Sequence, residues 1–252
     1  MLPENQNAWG NRLLDRFSVC FYTNCRRQSF LHMMFVRALG LILAIMLCSH
    51  VYFYRSSQYG VKFYLRFSHW AFVLIVLMYT LGLCTSSIEY KFNSQFNALS
   101  VSRKLPWHVR LQWIVFNVTI TINLLSSVAY YIIVNSCSSI EKFYCAIAEQ
   151  QPHYGVVYIM STILVLIELN LSAIPVRLMD IYQVLTYIVS YTIIVETYEN
   201  YTKVNVYNIK ITNDKEAFLV AMCLLVLTVT LYLLTYIVDF IKCKSKKFIV
   251  NV

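Results

Sequence analysis

Long apolar runs alternate with short charged segments along most of this chain. A transmembrane helix needs about 20 predominantly apolar residues to cross the hydrocarbon core of a bilayer. Strands with an open edge are excluded there, because lipid offers no hydrogen bonds to backbone groups. The pattern therefore predicts an all-α polytopic bundle of about six transmembrane helices, at residues 35–54, 68–88, 111–134, 154–174, 178–198 and 218–238.

Composition agrees with this fold class. Of the 252 residues, 59% are hydrophobic and 13% are charged, and the mean hydropathy is +0.58, which is outside the range of an ordinary soluble domain. We therefore expect one membrane domain at residues 35–241, with an N-terminal segment at 1–34 and a basic tail at 242–252.

The basic residues are distributed unevenly between the two sides of the predicted bundle. Fourteen of the 21 Lys and Arg residues, Arg37 and Lys242 among them, lie on the side that holds both termini. The positive-inside rule then places both termini in the cytoplasm, with the bundle in the plasma membrane or the endoplasmic reticulum. Topology and attraction to an anionic leaflet explain the net charge of +9. Nucleic-acid binding is not predicted, since no basic run is interleaved with exposed aromatic residues.

The fourth predicted helix carries a polar face. An ionised carboxylate at Glu168, near mid-span, costs roughly 3 kcal/mol on insertion scales. At about 100° per residue, Ser161 and Ser172 share its face and Tyr158 lies at the edge. We expect this face to point into the bundle, with Glu168 either protonated or paired. Polar residues of this kind can be packing contacts or a functional site, and the sequence leaves both interpretations open.

The predicted outer side contains two candidate modification sites. Cys137 and Cys145 share the third loop, where a disulfide can form. Asn200 opens an Asn-Tyr-Thr glycosylation sequon. Metal and cofactor sites are not predicted, since the sequence has no HExxH, CxxC or glycine-rich phosphate motif.

Several short motifs resemble the rolling stone family of insect multi-pass membrane proteins. The second predicted span contains Phe67-Ser68-His69-Trp70, which aligns with Leu-Thr-Asn-Trp in that family. The resemblance covers most of residues 35–198 and implies a non-enzymatic part in cell adhesion or myoblast fusion, with a membrane protein partner. The outer loop at 135–153 is the longest on its side, so we expect the partner to contact it. The other residues that carry it are Lys104-Leu105-Pro106-Trp107, Trp113, Asn117, Ile167-Glu168-Leu169 and Ser172-Ala173-Ile174-Pro175-Val176-Arg177-Leu178.

A catalytic alternative follows from the same resemblance. The family is similar in layout to the androgen-induced membrane hydrolases, which cleave fatty-acid esters of hydroxy fatty acids with an intramembrane threonine and a histidine. Ser68 occupies the nucleophile position, and a hydroxyl there needs a neighbouring base. Tyr158 stands at the histidine position, and His153 lies about 7.5 Å along the helix from it. Hydrolysis of a lipid ligand at Ser68 is one alternative, and a receptor, channel or transporter lined by Glu168 and Glu196 is another.

Overall fold

The computed structural model is built almost entirely of α-helices. It describes residues 26–59, 62–95, 106–136, 153–204, 206 and 214–250. Within these ranges 93% of the residues are helical and none forms a strand, which confirms the predicted helical class. In chain order the elements are α1 (Arg26–Tyr59), α2 (Lys62–Leu65), α3 (Phe67–Gln95), α4 (Trp107–Ser136), α5 (His153–Leu171), a 3-10 turn (Leu178–Asp180), α6 (Ile181–Thr202) and α7 (Asp214–Val250).

Five of these helices are long and apolar enough to cross a bilayer, so the chain is a multi-pass membrane protein by length and composition. The fourth predicted span, at 154–174, corresponds to the apolar part of α5, Gly155–Leu171, which falls in a class of 10–17 residues and is shorter than the five others. At about 1.5 Å per residue this part covers less than the roughly 30 Å of a hydrocarbon core. A sixth crossing and the sides of the termini stay predictions. The five candidate spans are Leu31–Phe53, Phe67–Ile88, Trp107–Ile132, Leu178–Thr202 and Ala221–Lys244.

Helix α4 lies at the centre of the bundle and packs against α3, α5, α6 and α7. It is also rich in buried polar side chains, which bond to backbone groups within and across helices. The Nδ2 of Asn123 donates to the carbonyl oxygens of Ala71 at 3.1 Å and Thr119 at 2.9 Å. Helices in lipid associate through packing and such hydrogen bonds, because the hydrophobic effect does not drive contacts between surfaces that lipid already covers. The buried polar residues of α4 are Gln112, Asn117, Thr119, Thr121, Asn123, Ser126 and Ser127.

The prediction of one continuous helix at 154–174 is wrong at its C-terminal end, because α5 stops at Leu171. Pro175 has no N–H and disfavours helical backbone at the residue before it, which ends the helix early. Residues 172–177, which we call the connecting segment, run without helix between α5 and the 3-10 turn. Ser172, Ile174 and Val176 are buried there. Non-helical backbone inside a membrane protein needs hydrogen-bond partners, and α4 and α7 supply them.

Candidate functional site

Glu168 of α5 forms a buried ion pair with Arg37 of α1. The Nε and Nη2 of Arg37 donate to Glu168 Oε1 at 2.9 and 2.7 Å, and the side chains are 0% and 2% exposed. The Nη1 of Arg37 donates to Gly82 O at 2.9 Å and to Ser86 Oγ at 2.6 Å, both on α3. One guanidinium therefore joins three helices, and Glu168 is paired inside the bundle.

Arg37 is the residue of this site that sequence reasoning missed. Its place near the start of the first apolar run put it among the basic residues counted on the cytoplasmic side, and no partner was predicted for it. The structure buries its side chain in the bundle. A signal was present, because Arg37 lies two positions inside the predicted span at 35–54 and an intramembrane acid calls for an intramembrane base.

Close packing of α1 on α3 surrounds this ion pair. A Cβ atom at Gly82 would lie 3.0 Å from Arg37 Nε, and one at Gly40 would overlap the ring of Tyr79. The hydroxyl of Tyr79 donates to Leu164 O of α5 at 2.7 Å, which holds the ring in place. Small residues let membrane helices approach closely, and at these two positions they make room for the arginine and the tyrosine.

A second buried ion pair fastens α7 to the end of α5. The Nζ of Lys242 lies 2.9 Å from Asp239 Oδ1 and donates to Leu169 O at 2.8 Å and Ser172 O at 2.9 Å. A cation next to these carbonyl groups stabilises the C-terminal end of α5, because it offsets the negative end of the helix dipole. Asp239 Oδ2 accepts the Val176 N–H at 3.2 Å. Lys242 is the first residue of the predicted basic tail at 242–252, and its side chain is buried.

Trp113 on α4 contacts two residues of the connecting segment, Pro175 and Arg177, and all three belong to the rolling stone resemblance. Trp113 Nε1 donates to Pro175 O at 3.0 Å, and the Cζ of Arg177 lies 4.5 Å from the centre of the Trp113 ring. The hydroxyl of Tyr232 on α7 donates to Arg177 O at 2.5 Å. The motif residues thus hold a non-helical segment between α4 and α7.

Two further residues of the resemblance, Trp107 and Asn117, also lie on α4 but make other contacts. Asn117 is 2% exposed, and its Nδ2 donates to Gln183 Oε1 of α6 at 3.2 Å. Trp107 begins the helix and is 75% exposed. Asn117 therefore joins α4 to α6, whereas Trp107 faces outward.

The predicted polar face of α5 is buried along its length but does not form one cluster. Tyr158 stacks on Tyr130 with ring centres 4.3 Å apart, and Phe72 lies 5.6 Å from it. The Oγ of Ser161 donates to the Tyr158 carbonyl of its own helix at 2.9 Å. Ser172 is also buried, one turn beyond Glu168. The aromatic end and the charged end of this face are thus in different surroundings.

Ser68, the predicted nucleophile, has no basic hydrogen-bond partner among the residues that the structure describes. Ser68 is partly exposed near the start of α3. The neighbouring His69 hydrogen-bonds Phe63 O through Nδ1, and its ring lies 3.9 Å from that of Phe63 on α2. Among the described residues no hydrogen bond joins Ser68 to a basic side chain. The Nδ1 of His69 is thus engaged by the Phe63 carbonyl.

The candidate modification sites on the predicted outer side are only partly described. Asn200 is exposed in the last turns of α6. The helix ends at Lys203, whose φ of 57° is left-handed and whose N–H bonds to Glu199 O at 2.8 Å. Cys137 and Cys145 lie outside the described residues. The disulfide and the glycosylation both stay predictions.

Metal ligands are not grouped in the described part of the chain, where no three His, Cys, Asp or Glu side chains could hold an ion together. Arg37 and Lys242 instead neutralise the buried Glu168 and Asp239. The buried charges of the described residues are thus used in two ion pairs, one between α1 and α5 and one on α7 at the end of α5. No protein-family model, curated protein or solved structure matches the chain.

Proposed function

We propose that the protein is a non-enzymatic multi-pass membrane protein of the rolling stone type that acts in cell adhesion or cell fusion. The observation that supports a structural use of the intramembrane charges is the Arg37–Glu168 ion pair, in which both side chains are at most 2% exposed. The non-enzymatic role in adhesion or fusion comes from the resemblance of the motif residues.

The use of the polar groups supports a scaffold over a transport path. Ionisable residues that line a path face a wet cavity, whereas Arg37 is buried and donates hydrogen bonds to Glu168, Gly82 and Ser86. Lys242 and Asp239 are likewise directed at the ends of α5 and the connecting segment. These contacts fix the relative positions of the helices, and a stable bundle can present its outer loops to a partner.

The adhesion hypothesis is tested with two cell populations that each carry half of a split reporter. Cells that express the protein should aggregate or mix contents more than cells with an empty vector. The matched variant replaces residues 138–144 with a Gly/Ser linker of equal length, which keeps Cys137 and Cys145. We expect this variant to reach the cell surface, as measured by surface biotinylation, and to lose the activity. Equal signals from wild-type and empty-vector cells would refute the adhesion hypothesis.

The hydrolase alternative is tested by labelling the purified protein in detergent with a fluorophosphonate probe. We expect no labelling that depends on Ser68, because no basic side chain among the described residues forms a hydrogen bond to its hydroxyl. An active membrane serine hydrolase serves as the positive control for the probe. Labelling of wild type that disappears in Ser68→Ala would establish an enzyme, and its further loss in His153→Ala would identify the base.

A further inference from the structure

Several exposed cations lie at one end of the bundle, where two candidate spans begin and one ends. Arg177 directly precedes the span Leu178–Thr202, and Arg110 lies three residues after the start of Trp107–Ile132. Both side chains are exposed, as is that of Lys244 at the end of a third span. The contacts of Arg177 with Trp113 and of Lys242 with Ser172 show that these helix ends are neighbours.

This end also has the outward-facing residues expected at a membrane surface. Trp107 is 75% exposed and Met179 is 84% exposed. Tryptophan is enriched where hydrocarbon meets headgroups. Arg110 and Arg177 lie at the ends of the same candidate spans, where the headgroups of a bilayer are expected.

Arg177 is held in position by a ring contact and by its backbone. Its guanidinium lies over the face of Trp113, which leaves the N–H donors in the plane of the group available. Its backbone is fixed on both sides, by Tyr232 at the Arg177 carbonyl and by Asp239 at the Val176 N–H. The side chain thus combines a defined position with exposure to the membrane surface.

Arg177 forms no ion pair with a carboxylate among the described residues. The nearest acid in sequence, Asp180, is the N-cap residue of α6 and makes no side-chain hydrogen bond to that helix. Arg177 attracts this carboxylate electrostatically, but among the described residues no salt bridge joins the two side chains. The N–H donors of Arg177 therefore remain available to an external anion.

We propose that Arg177, stacked on Trp113, binds the phosphate of an anionic phospholipid, with Arg110 one helical turn from Trp113 as the second cation. An arginine guanidinium can donate two parallel hydrogen bonds to phosphate oxygens. Basic residues between helix ends are the usual sites for acidic headgroups. A zwitterionic headgroup fits less well, because two cations repel its choline. The proposal is independent of whether the protein is an adhesion molecule or a hydrolase.

The test is lipid binding to the purified full-length protein in detergent, followed by native mass spectrometry. Phosphatidylglycerol and phosphatidylcholine with the same acyl chains are titrated separately. We expect phosphatidylglycerol to bind in preference, and Arg177→Gln to weaken that binding about fivefold, since one basic residue near an anionic surface contributes that much. Arg177→Lys should retain part of the affinity, because it keeps the charge and loses the planar fork.

Two further variants keep the result interpretable. Lys203→Gln removes an exposed charge at the opposite end of α6 and should leave phosphatidylglycerol binding unchanged. Arg110→Gln provides a second measurement should Arg177→Gln not fold, and it should weaken binding by a smaller factor. Equal losses for Lys203→Gln and Arg177→Gln, or no loss for either arginine variant, would overturn the proposal. Displacement of the lipid by an equal concentration of inorganic phosphate would also overturn it, since the site would then bind any anion.

Discussion

Glu168 and Ser68 are both polar residues of apolar helices, but their surroundings differ. Glu168 is 2% exposed, and Arg37 lies 2.7 Å from it across the bundle. Ser68 is partly exposed near the start of α3, and no described hydrogen bond joins it to a base. A charge in the core requires a partner, because an unpaired buried ion costs several kcal/mol. A hydroxyl near the membrane surface has no such requirement, so its presence says little about function.

The largest expected effect comes from removing one member of the Arg37–Glu168 pair. Arg37→Met leaves a carboxylate unpaired in the core, and we expect it to lower the free energy of unfolding by about 3–5 kcal/mol. The measurement is denaturant unfolding in mixed micelles, followed by circular dichroism. Arg37→Met combined with Glu168→Met removes both charges and should recover most of that loss. Equal destabilisation of the single and double variants would mean that the ion pair does not fasten the bundle.

The Lys242–Asp239 pair should have the next largest effect. Lys242→Met removes the cation from the last carbonyls of α5 and leaves Asp239 with only the Val176 N–H among its described contacts. We expect a loss of about 3 kcal/mol by the same unfolding measurement. Lys244→Met, two residues along on an exposed position, is the matched control and should change stability by no more than about 0.5 kcal/mol. Similar losses for the two variants would show that Lys242 acts through net charge alone.

The glycine at the α1–α3 contact gives a smaller, steric effect. Gly40→Ala introduces a methyl group where the ring of Tyr79 already lies, and Tyr79 is held by Leu164 O. Overpacking of this kind costs about 1–3 kcal/mol. Gly155→Ala is the control, because its Cβ would be no closer than 3.9 Å to its neighbours. If Gly40→Ala were as stable as Gly155→Ala, α1 and α3 would pack less closely than the structure has them.

The helices could be predicted from sequence because hydropathy depends on contact with lipid and needs no knowledge of neighbouring helices. Five predicted runs overlap the candidate spans. The end of α5 was missed because the connecting segment is itself apolar and continues the hydropathy signal past Leu171. Pro175 was visible in the sequence, and it marks the true break.

The contacts of the site could be predicted only in kind. An acid within a span needs a partner, so pairing of Glu168 was among the expectations. The identity of that partner was not, because Arg37 is 131 residues away and fits the positive-inside pattern equally well. Lys242 was hidden in the same way among the basic residues of the tail. Side-chain pairing across helices depends on tertiary structure, which the periodicity of one chain does not contain.

The smallest expected effect is that of Ser68→Ala, which we compare with the same substitution at Ser86 on the same helix. Ser86 is fully buried and accepts the Arg37 Nη1–H at 2.6 Å, so Ser86→Ala should cost about 1–3 kcal/mol by leaving a buried charged donor without its partner. Ser68→Ala removes a hydroxyl with no described hydrogen bond, and we expect a change within about 0.5 kcal/mol. Parallel unfolding curves in the same micelles make the comparison direct. A loss at Ser68 equal to that at Ser86 would mean that the Ser68 hydroxyl has a buried partner of its own, and it would place that end of α3 among the fastened contacts of the bundle.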